Sequence, residues 1–438
     1  MSSAQYPVRN VGIYHNLPQF DPQLSGLTAL ITGANGISGF NTLRALLNSP
    51  QRWGKIYTLS RRPIPPSMLN LLPLNVRSRV HHIGCDLQSD PKEIAAILNA
   101  AGAVGKVQYI FYYAYLQPKP EDGEPLWSND QQLVDVNVAM LSKFLQALSH
   151  TDIKPKRFLL QTGAKNYGTH LGRARTPNLE SDPQPRHLAP NFYYPQEDLV
   201  FEYCATNGVE WNVIRPPFIV GTSSTAQMNG LYAFAVYAAV AAERGTTLAF
   251  PSTWELWQQY CAHHGSALLT GYLSEWVILE DKCRNEAFNS QDTSPISWDR
   301  IFHELVRWFG VQKGVQPPSE DDSDWPEFKS QRRYGPPQSC KLAFSMVGWA
   351  KDPENHKAWK DIMQRENLTF DPFLEVEANF LIGDVMFVLF GPLSMNKARR
   401  LGWTGFVDTM ESIFEMNQEL NALGMLPKMK VQAPLPLI

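Results

Sequence analysis

The segment Gly33-Ala34-Asn35-Gly36-Ile37-Ser38-Gly39 constrains the fold more than any other part of this chain. It is a GxxGxxG pattern that directly follows a short apolar, β-compatible run, Thr28 to Thr32. A helical pattern follows from Asn41 to Leu47, with Leu43, Leu46 and Leu47 on one face and Ser49-Pro50 as its stop. In that strand–turn–helix setting each glycine has a task. Gly33 permits the tight turn, Gly36 lets backbone approach a pyrophosphate, and Gly39 lets helix and strand pack closely. The helix start then offers free N–H groups and the positive end of its dipole to phosphate. A ligand-free glycine turn is the plain alternative, and the flanking strand and helix argue against it. Gly33, Asn35, Gly36, Ile37 and Gly39 are therefore expected to contact a dinucleotide.

The rest of the first half repeats the alternation. Strands are predicted at Lys55 to Leu59, His81 to Gly84, Val107 to Tyr113, Arg157 to Gln161 and Glu210 to Ile214. Helices are predicted at Gln131 to Leu148 and around Glu197 to Ala205. Such alternation implies βαβ units, right-handed crossovers and a doubly wound parallel sheet, an α/β Rossmann fold. The second half reads differently. A buried helix is expected at Met228 to Ala242 and an extra strand at Glu286 to Asn289. Helices follow at Trp298 to Phe309, Trp359 to Glu366 and Thr409 to Leu420, with a polar, Pro-rich surface loop from Gln316 to Pro337. The expected organisation is an N-terminal extension (1–24), a nucleotide-binding core (25–222) and a mainly helical substrate lobe (223–438). A strand near 286–290 returns to the core. The lobe should cover the carboxyl edge of the sheet, where doubly wound folds bind ligands.

The end of the second predicted strand reports the nucleotide. An NAD enzyme places Asp or Glu there to hold the ribose 2′-hydroxyl. This chain has Ser60-Arg61-Arg62-Pro63 instead. Two guanidiniums suit a 2′-phosphate, which arginine can grip with two parallel bonds, so NADPH is the expected cofactor. After the third strand, Asp86 is placed to accept from the adenine amino group and Leu87 to cover the ring. A helix-capping role for Asp86 competes with the first of these.

Short-chain dehydrogenases usually carry Tyr-x-x-x-Lys on one helix face. Here the tyrosine region reads Asn191-Phe192-Tyr193-Tyr194-Pro195-Gln196-Glu197-Asp198, with an acid four residues after each tyrosine. A lysine lies elsewhere, in Gln161-Thr162-Gly163-Ala164-Lys165-Asn166-Tyr167, at the carboxyl end of the fifth strand. These two segments resemble the QTGxKxY and NFYYxxED motifs of the progesterone 5-beta-reductase/iridoid synthase-like family, a divergent branch of the extended short-chain dehydrogenases. Further matches are Ser60 to Pro63, Arg215-Pro216 with Ile219 and Gly221, Asn285 to Asn289, and Ser394-Met395-Asn396-Lys397. The resemblance runs from about Leu27 to the C-terminus.

What the resemblance implies is NADPH-dependent 1,4-reduction of a C=C bond in an enone or enal. Lys165 and Tyr193 become the catalytic pair, Tyr193 hydrogen-bonding the oxygen where enolate charge develops. Ile219 and Tyr193 join the cofactor contacts, Tyr167 and Trp403 the substrate pocket. The chain departs from the pattern at Gly402-Trp403, and at Thr169 to Arg173, read as an extra apolar wall with an arginine. The substrate is expected to be a small molecule of secondary-metabolite type, and steroid or iridoid specificity is not carried over. Carbonyl reduction, a redox-neutral isomerase or cyclase, and a non-catalytic NADPH sensor remain alternatives on sequence alone.

Composition narrows the partners. The 438 residues carry 39 Lys plus Arg against 42 Asp plus Glu, a net charge of −3, so no basic field points to nucleic acid or an anionic membrane. The five cysteines are scattered without metal-ligand spacing, and His263-His264 are adjacent rather than on one helix face, so no metal is expected. Met1 to Asp21 has no apolar core of a signal peptide, and the most apolar helical stretch, Leu231 to Ala242, is shorter than the ~20 residues a span requires. A cytoplasmic protein is expected, and a homodimer is compatible with the fold class.

Overall fold

The computed structural model describes residues 7–49, 51–119, 129–224, 228–330 and 332–436. Seven strands form the central sheet: β1 (Leu27–Thr32), β2 (Trp53–Ser60), β3 (Val80–Gly84), β4 (Tyr109–Tyr112), β5 (Arg157–Gln161), β6 (Glu210–Arg215) and β7 (Glu286–Asn289). Their order is β7-β6-β5-β4-β1-β2-β3, and every pairing is parallel. The first six strands follow the Rossmann order, and the direction of winding reverses between β1 and β4. A ligand crevice is expected at that switch point, outside the carboxyl ends.

Strand alternation divides two cores. In β1, Ala29 and Ile31 face one core while Leu30 faces the other, and in β5 Leu159 opposes Phe158 and Leu160 in the same way. Both faces are covered, which is why these strands read as continuous apolar runs. One face carries α1 (Ile37–Leu47), the other α2 (Pro91–Ala100), α3 (Asp130–Ser149) and α4 (Tyr193–Asn207). The second half of the chain supplies α5 (Gly230–Arg244), α6 (Ala267–Leu279), α7 (Trp298–Phe309), α8 (Pro353–Glu366), α9 (Val376–Val385) and α10 (Thr409–Ala422). Helix α6 packs directly on α1, and a Cβ on Gly271 would stand 3.0 Å from the Asn41 carbonyl oxygen. The missing side chain lets the two helices meet.

Several elements differ from the sequence reading. Helix α6 gave no periodic signal because every residue from Ala267 to Ile278 is buried, so it has no polar face to mark its turns. Helix α4 begins at Tyr193, before Glu197, because Pro195 sits in the first turn, where its lack of an N–H costs no helical bond. The N-terminal residues form a hairpin, Val8–Val11 with Tyr14–Pro18, docked where His15 and Phe406 exchange backbone hydrogen bonds. The expected 316–337 loop carries a strand, Glu327–Lys329, paired antiparallel with Ser339–Lys341. Among the described residues no helix is long and apolar enough to cross a membrane.

Candidate active site

The glycine turn sits at the switch point. Gly33 has φ +66°, and a Cβ there would lie 2.7 Å from the Tyr113 carbonyl oxygen, so no other residue fits. A Cβ on Gly39 would lie 2.4 Å from the Gly33 carbonyl oxygen, so α1 can rest against the turn only through glycine. Gly36 is different. It caps α1, and among the described residues beyond its chain neighbours the Gly33 carbonyl oxygen comes nearest to its Cβ position, at 3.4 Å. Among those residues, the glycine here leaves space that no side chain fills. Among the described residues no side chain caps the first turn of α1, and no acid lies in it, as an anion site at a helix start requires.

Around this cradle the predicted contacts converge. Asn35 Nδ2 donates to the carbonyl oxygens of Arg62 (2.8 Å) and Pro63 (3.2 Å), and Ser60 Oγ donates to that of Arg62 (2.7 Å). Asn35 and Ser60 thus shape the loop that presents Arg61 and Arg62. Both arginines are exposed, and among the described residues neither forms a salt bridge. Ser223 Oγ donates to the Asn35 carbonyl at 2.6 Å, tying the loop to the chain after β6. Ile219 is half-buried in the short strand Phe218–Val220, and a Cβ on nearby Gly221 would lie 2.8 Å from Ile37 Cγ2. That strand therefore runs toward the first turn of α1. Asp86 accepts from the Gln88 N–H at 2.9 Å and closes a turn, while the cap of α2 is Asp90; the capping alternative for Asp86 is corrected. Leu87 is 6 % exposed and belongs mostly to the core.

Lys165 and Tyr193 come from separate elements that the fold brings together. Beyond β5 the chain stays paired with the end of β6 and the residue that follows it, through Thr162 N–H to the Ile214 carbonyl and Ala164 N–H to that of Pro216. It then coils into a short 3-10 helix, Ala164–Tyr167, that carries Lys165. Burial lowers the pKa of the Lys165 ammonium and the charge of Asp130 partly restores it. Tyr193 opens α4, and its hydroxyl lies only 3.1 Å from the Cβ position of Gly163. Its ring meets Phe192 edge-on at 4.6 Å. Burial pushes the phenol pKa well up, and Tyr115 adds to the shift. Tyr193 is thus a neutral hydrogen-bond donor at physiological pH, not a phenolate. Asn191, which sequence reading passed over, links the two: its Nδ2 donates to the Lys165 carbonyl at 2.9 Å and its Oδ1 accepts the Tyr193 N–H at 3.0 Å.

Glu197, the acid four residues beyond Tyr193, turns inward. Its two oxygens accept from Arg215 Nη2 at 3.0 and 2.9 Å, and Gln184 Nε2 donates to it at 2.8 Å. The Arg215 guanidinium also lies over Tyr167, whose hydroxyl donates to Asn289 at 2.5 Å. Tyr167 is 2 % exposed and belongs to this buried network. An arginine at the end of an apolar strand was the sequence signal that a buried acid had to exist. Removing one member of a buried pair typically costs about 3–5 kcal/mol. Glu197→Gln should therefore lower unfolding free energy in urea by about 3 kcal/mol, whereas a loss below about 1 kcal/mol would mark the pair as a solvated one.

Trp403 is likewise enclosed: 4 % exposed, packed on Trp276 at 5.7 Å, within the core at the end of α6. The Thr169 to Arg173 run is strapped rather than open. Arg333 Nη1 donates to the Gly168 carbonyl at 2.6 Å, and Arg173 Nε to that of Pro336 at 3.0 Å. Among the described residues no cluster of His, Cys, Asp or Glu could hold a metal ion.

Comparison with known proteins agrees with this architecture. A family model described as a PRISE-like Rossmann-fold domain matches residues 29–334. The short chain dehydrogenase gsfE of Penicillium aethiopicum is 29 % identical over 411 residues, covering 92 % of this chain and 99 % of that protein. The 3-oxo-Delta(4,5)-steroid 5-beta-reductase of Arabidopsis thaliana is 26 % identical over 407 residues, covering 91 % and 93 %. Among solved structures, the terminal R domain from the myxalamid PKS-NRPS biosynthetic pathway shares the fold, with a TM-score of 0.55, 13 % identity and coverage of 91 % and 90 %.

Proposed function

The chain belongs to the PRISE-like Rossmann-fold domain family, and on that premise we propose that it is an NADPH-dependent reductase of C=C bonds conjugated to a carbonyl group. The observation that carries this reading is the Tyr193 hydroxyl, held as a neutral donor over Gly163 at the carboxyl edge of the sheet. The name of the Arabidopsis relative supports it, since a 3-oxo-Δ4,5 steroid carries a C=C bond conjugated to its ketone. The substrate is a small molecule, and the steroid itself is not carried over.

Gly36 and the first turn of α1, on a turn that Gly33 and Gly39 shape, would hold the pyrophosphate, and Arg61 with Arg62 the 2′-phosphate. When bound, the nicotinamide supplies hydride to the β-carbon of the acceptor. Negative charge then gathers on the carbonyl oxygen of an enolate, and a proton taken from solvent at the α-carbon completes the saturated product. Tyr193 donates a hydrogen bond to that oxygen, and the Lys165 ammonium adds a positive field from the same edge. A donor that strengthens as charge develops stabilises the transition state more than the substrate, which is what raises turnover. A phenol with a raised pKa keeps its proton between turnovers and so remains a donor. We also place the protein in the cytoplasm, a reading supported by five free cysteines.

The cofactor half of the proposal is tested by titrating NADPH and NADH against the wild type and an Arg61→Ala/Arg62→Ala variant. NADPH should bind about 10²-fold more tightly than NADH, and the variant should lose most of that preference, as removal of two charged contacts predicts. Equal affinities in the wild type would overturn the 2′-phosphate assignment.

A further inference from the structure

We infer that Asn191 is a positioning residue that fixes the Tyr193 hydroxyl against the Lys165 turn. The inference rests on the proposed roles of those two residues. Its support is the geometry of one side chain. Asn191 Nδ2 donates to the Lys165 carbonyl at 2.9 Å, and Oδ1 accepts the Tyr193 N–H at 3.0 Å. Its own carbonyl accepts the Tyr194 N–H at 3.3 Å. Among the described residues the start of α4 has no other side-chain cap, and no acid lies in its first turn. Asn191 thus satisfies free N–H groups at that start, and its amide fastens the helix to the turn that bears Lys165.

The fastening needs a donor and an acceptor on one short side chain. Aspartate of the same length keeps the acceptor but cannot donate, and would set a carboxylate against the Lys165 carbonyl. Serine falls short of one partner. The Lys165 carbonyl also accepts the Gly168 N–H at 2.9 Å, so the Asn191 bond closes on a turn that is already held. On the other side of the contact, the Tyr193 hydroxyl lies where a Cβ on residue 163 would crowd it, 3.1 Å from that position, and Gly163 leaves it that place. A shift of α4 would move the hydroxyl away from the oxygen it must reach. Displacements of this kind, near 1 Å, cost about 10²-fold in rate.

The fold should survive the substitution. Asn191 is half-buried and borders an open cleft with Gln131, His187 and Pro195, so a carboxylate there stays hydrated. The Tyr194 hydroxyl still donates to the Asn166 carbonyl at 3.2 Å and keeps α4 near the turn.

The test uses the full chain with 2-cyclohexenone and NADPH, comparing wild type, Asn191→Asp, Asn191→Ser, Tyr193→Phe and the Asn191→Asp/Tyr193→Phe double variant. Asn191→Asp should lower kcat by about 10²-fold and leave KM for NADPH within about twofold. In the Tyr193→Phe background the same change should cost little, since the hydroxyl it positions is gone. Hydrogen exchange of the peptide spanning 190–196 should quicken in both Asn191 variants, whether or not 2-cyclohexenone is turned over. Unchanged exchange, or equal rate losses in both backgrounds, would overturn the inference. If the wild type instead yields 2-cyclohexenol, the double-bond reading fails, while the coupling of Asn191 to Tyr193 is still read on that reaction.

Discussion

Tyr193→Phe should lower kcat by about 10²–10³-fold, the loss typical of removing one donor to a developing oxyanion. NADPH affinity should stay within about twofold, because the charge the phenol stabilises exists only in the transition state. The substitution keeps the ring and its edge-on contact with Phe192 at 4.6 Å, so packing is preserved and only the hydroxyl is lost. The hydrogen bond that ties Tyr193 to Asn191 runs through its backbone N–H and not through that hydroxyl. Lys165→Met should be impaired to a similar degree. Combining the two should cost little more, because residues that act on one oxygen are not additive. Full activity of Tyr193→Phe on an accepted enone would remove this residue from the chemistry.

Gly36→Val should abolish measurable NADPH binding in a protein that remains folded. The backbone at Gly36, φ −83° and ψ 168°, is extended and open to a branched residue. The nearest protein atom to the new Cβ would be the Gly33 carbonyl oxygen, at 3.4 Å, which is ordinary contact. The valine methyls would occupy the space kept for the pyrophosphate. Affinity should fall by about 10²-fold or more, each tenfold step being about 1.4 kcal/mol. Circular dichroism and the urea midpoint should match the wild type. Gly39→Ala is the contrasting control: its Cβ would stand 2.4 Å from the Gly33 carbonyl oxygen, so that variant should lose stability as well as nucleotide. Retained NADPH binding by folded Gly36→Val would place the nucleotide elsewhere.

The glycine turn and the parallel sheet were legible because both are written in local chemistry. Gly33 needs a positive φ, and strands buried on both faces leave continuous apolar runs such as Phe158 to Leu160. Helix α6 was not legible for the converse reason, since a helix buried on every side has no pattern to read. The site was legible in part. Lys165 and Tyr193 stood in recognisable motifs, but their link through Asn191 depends on where α4 begins, and Pro195 hid that start. Tyr167 and Trp403 were expected at the pocket because each lies beside a motif. Their burial follows from distant partners, Asn289 and Trp276, that neighbours in sequence do not announce.

Hydride should go to the β-carbon of the conjugated double bond and not to the carbonyl carbon. The most direct measurement is to incubate the protein with 2-cyclohexenone and NADPH deuterated at the transferred position, then locate the label by NMR. The product should be cyclohexanone carrying deuterium at the β-carbon, with the ketone intact. Deuterium on the carbinol carbon of 2-cyclohexenol would instead establish carbonyl reduction and overturn the double-bond reading.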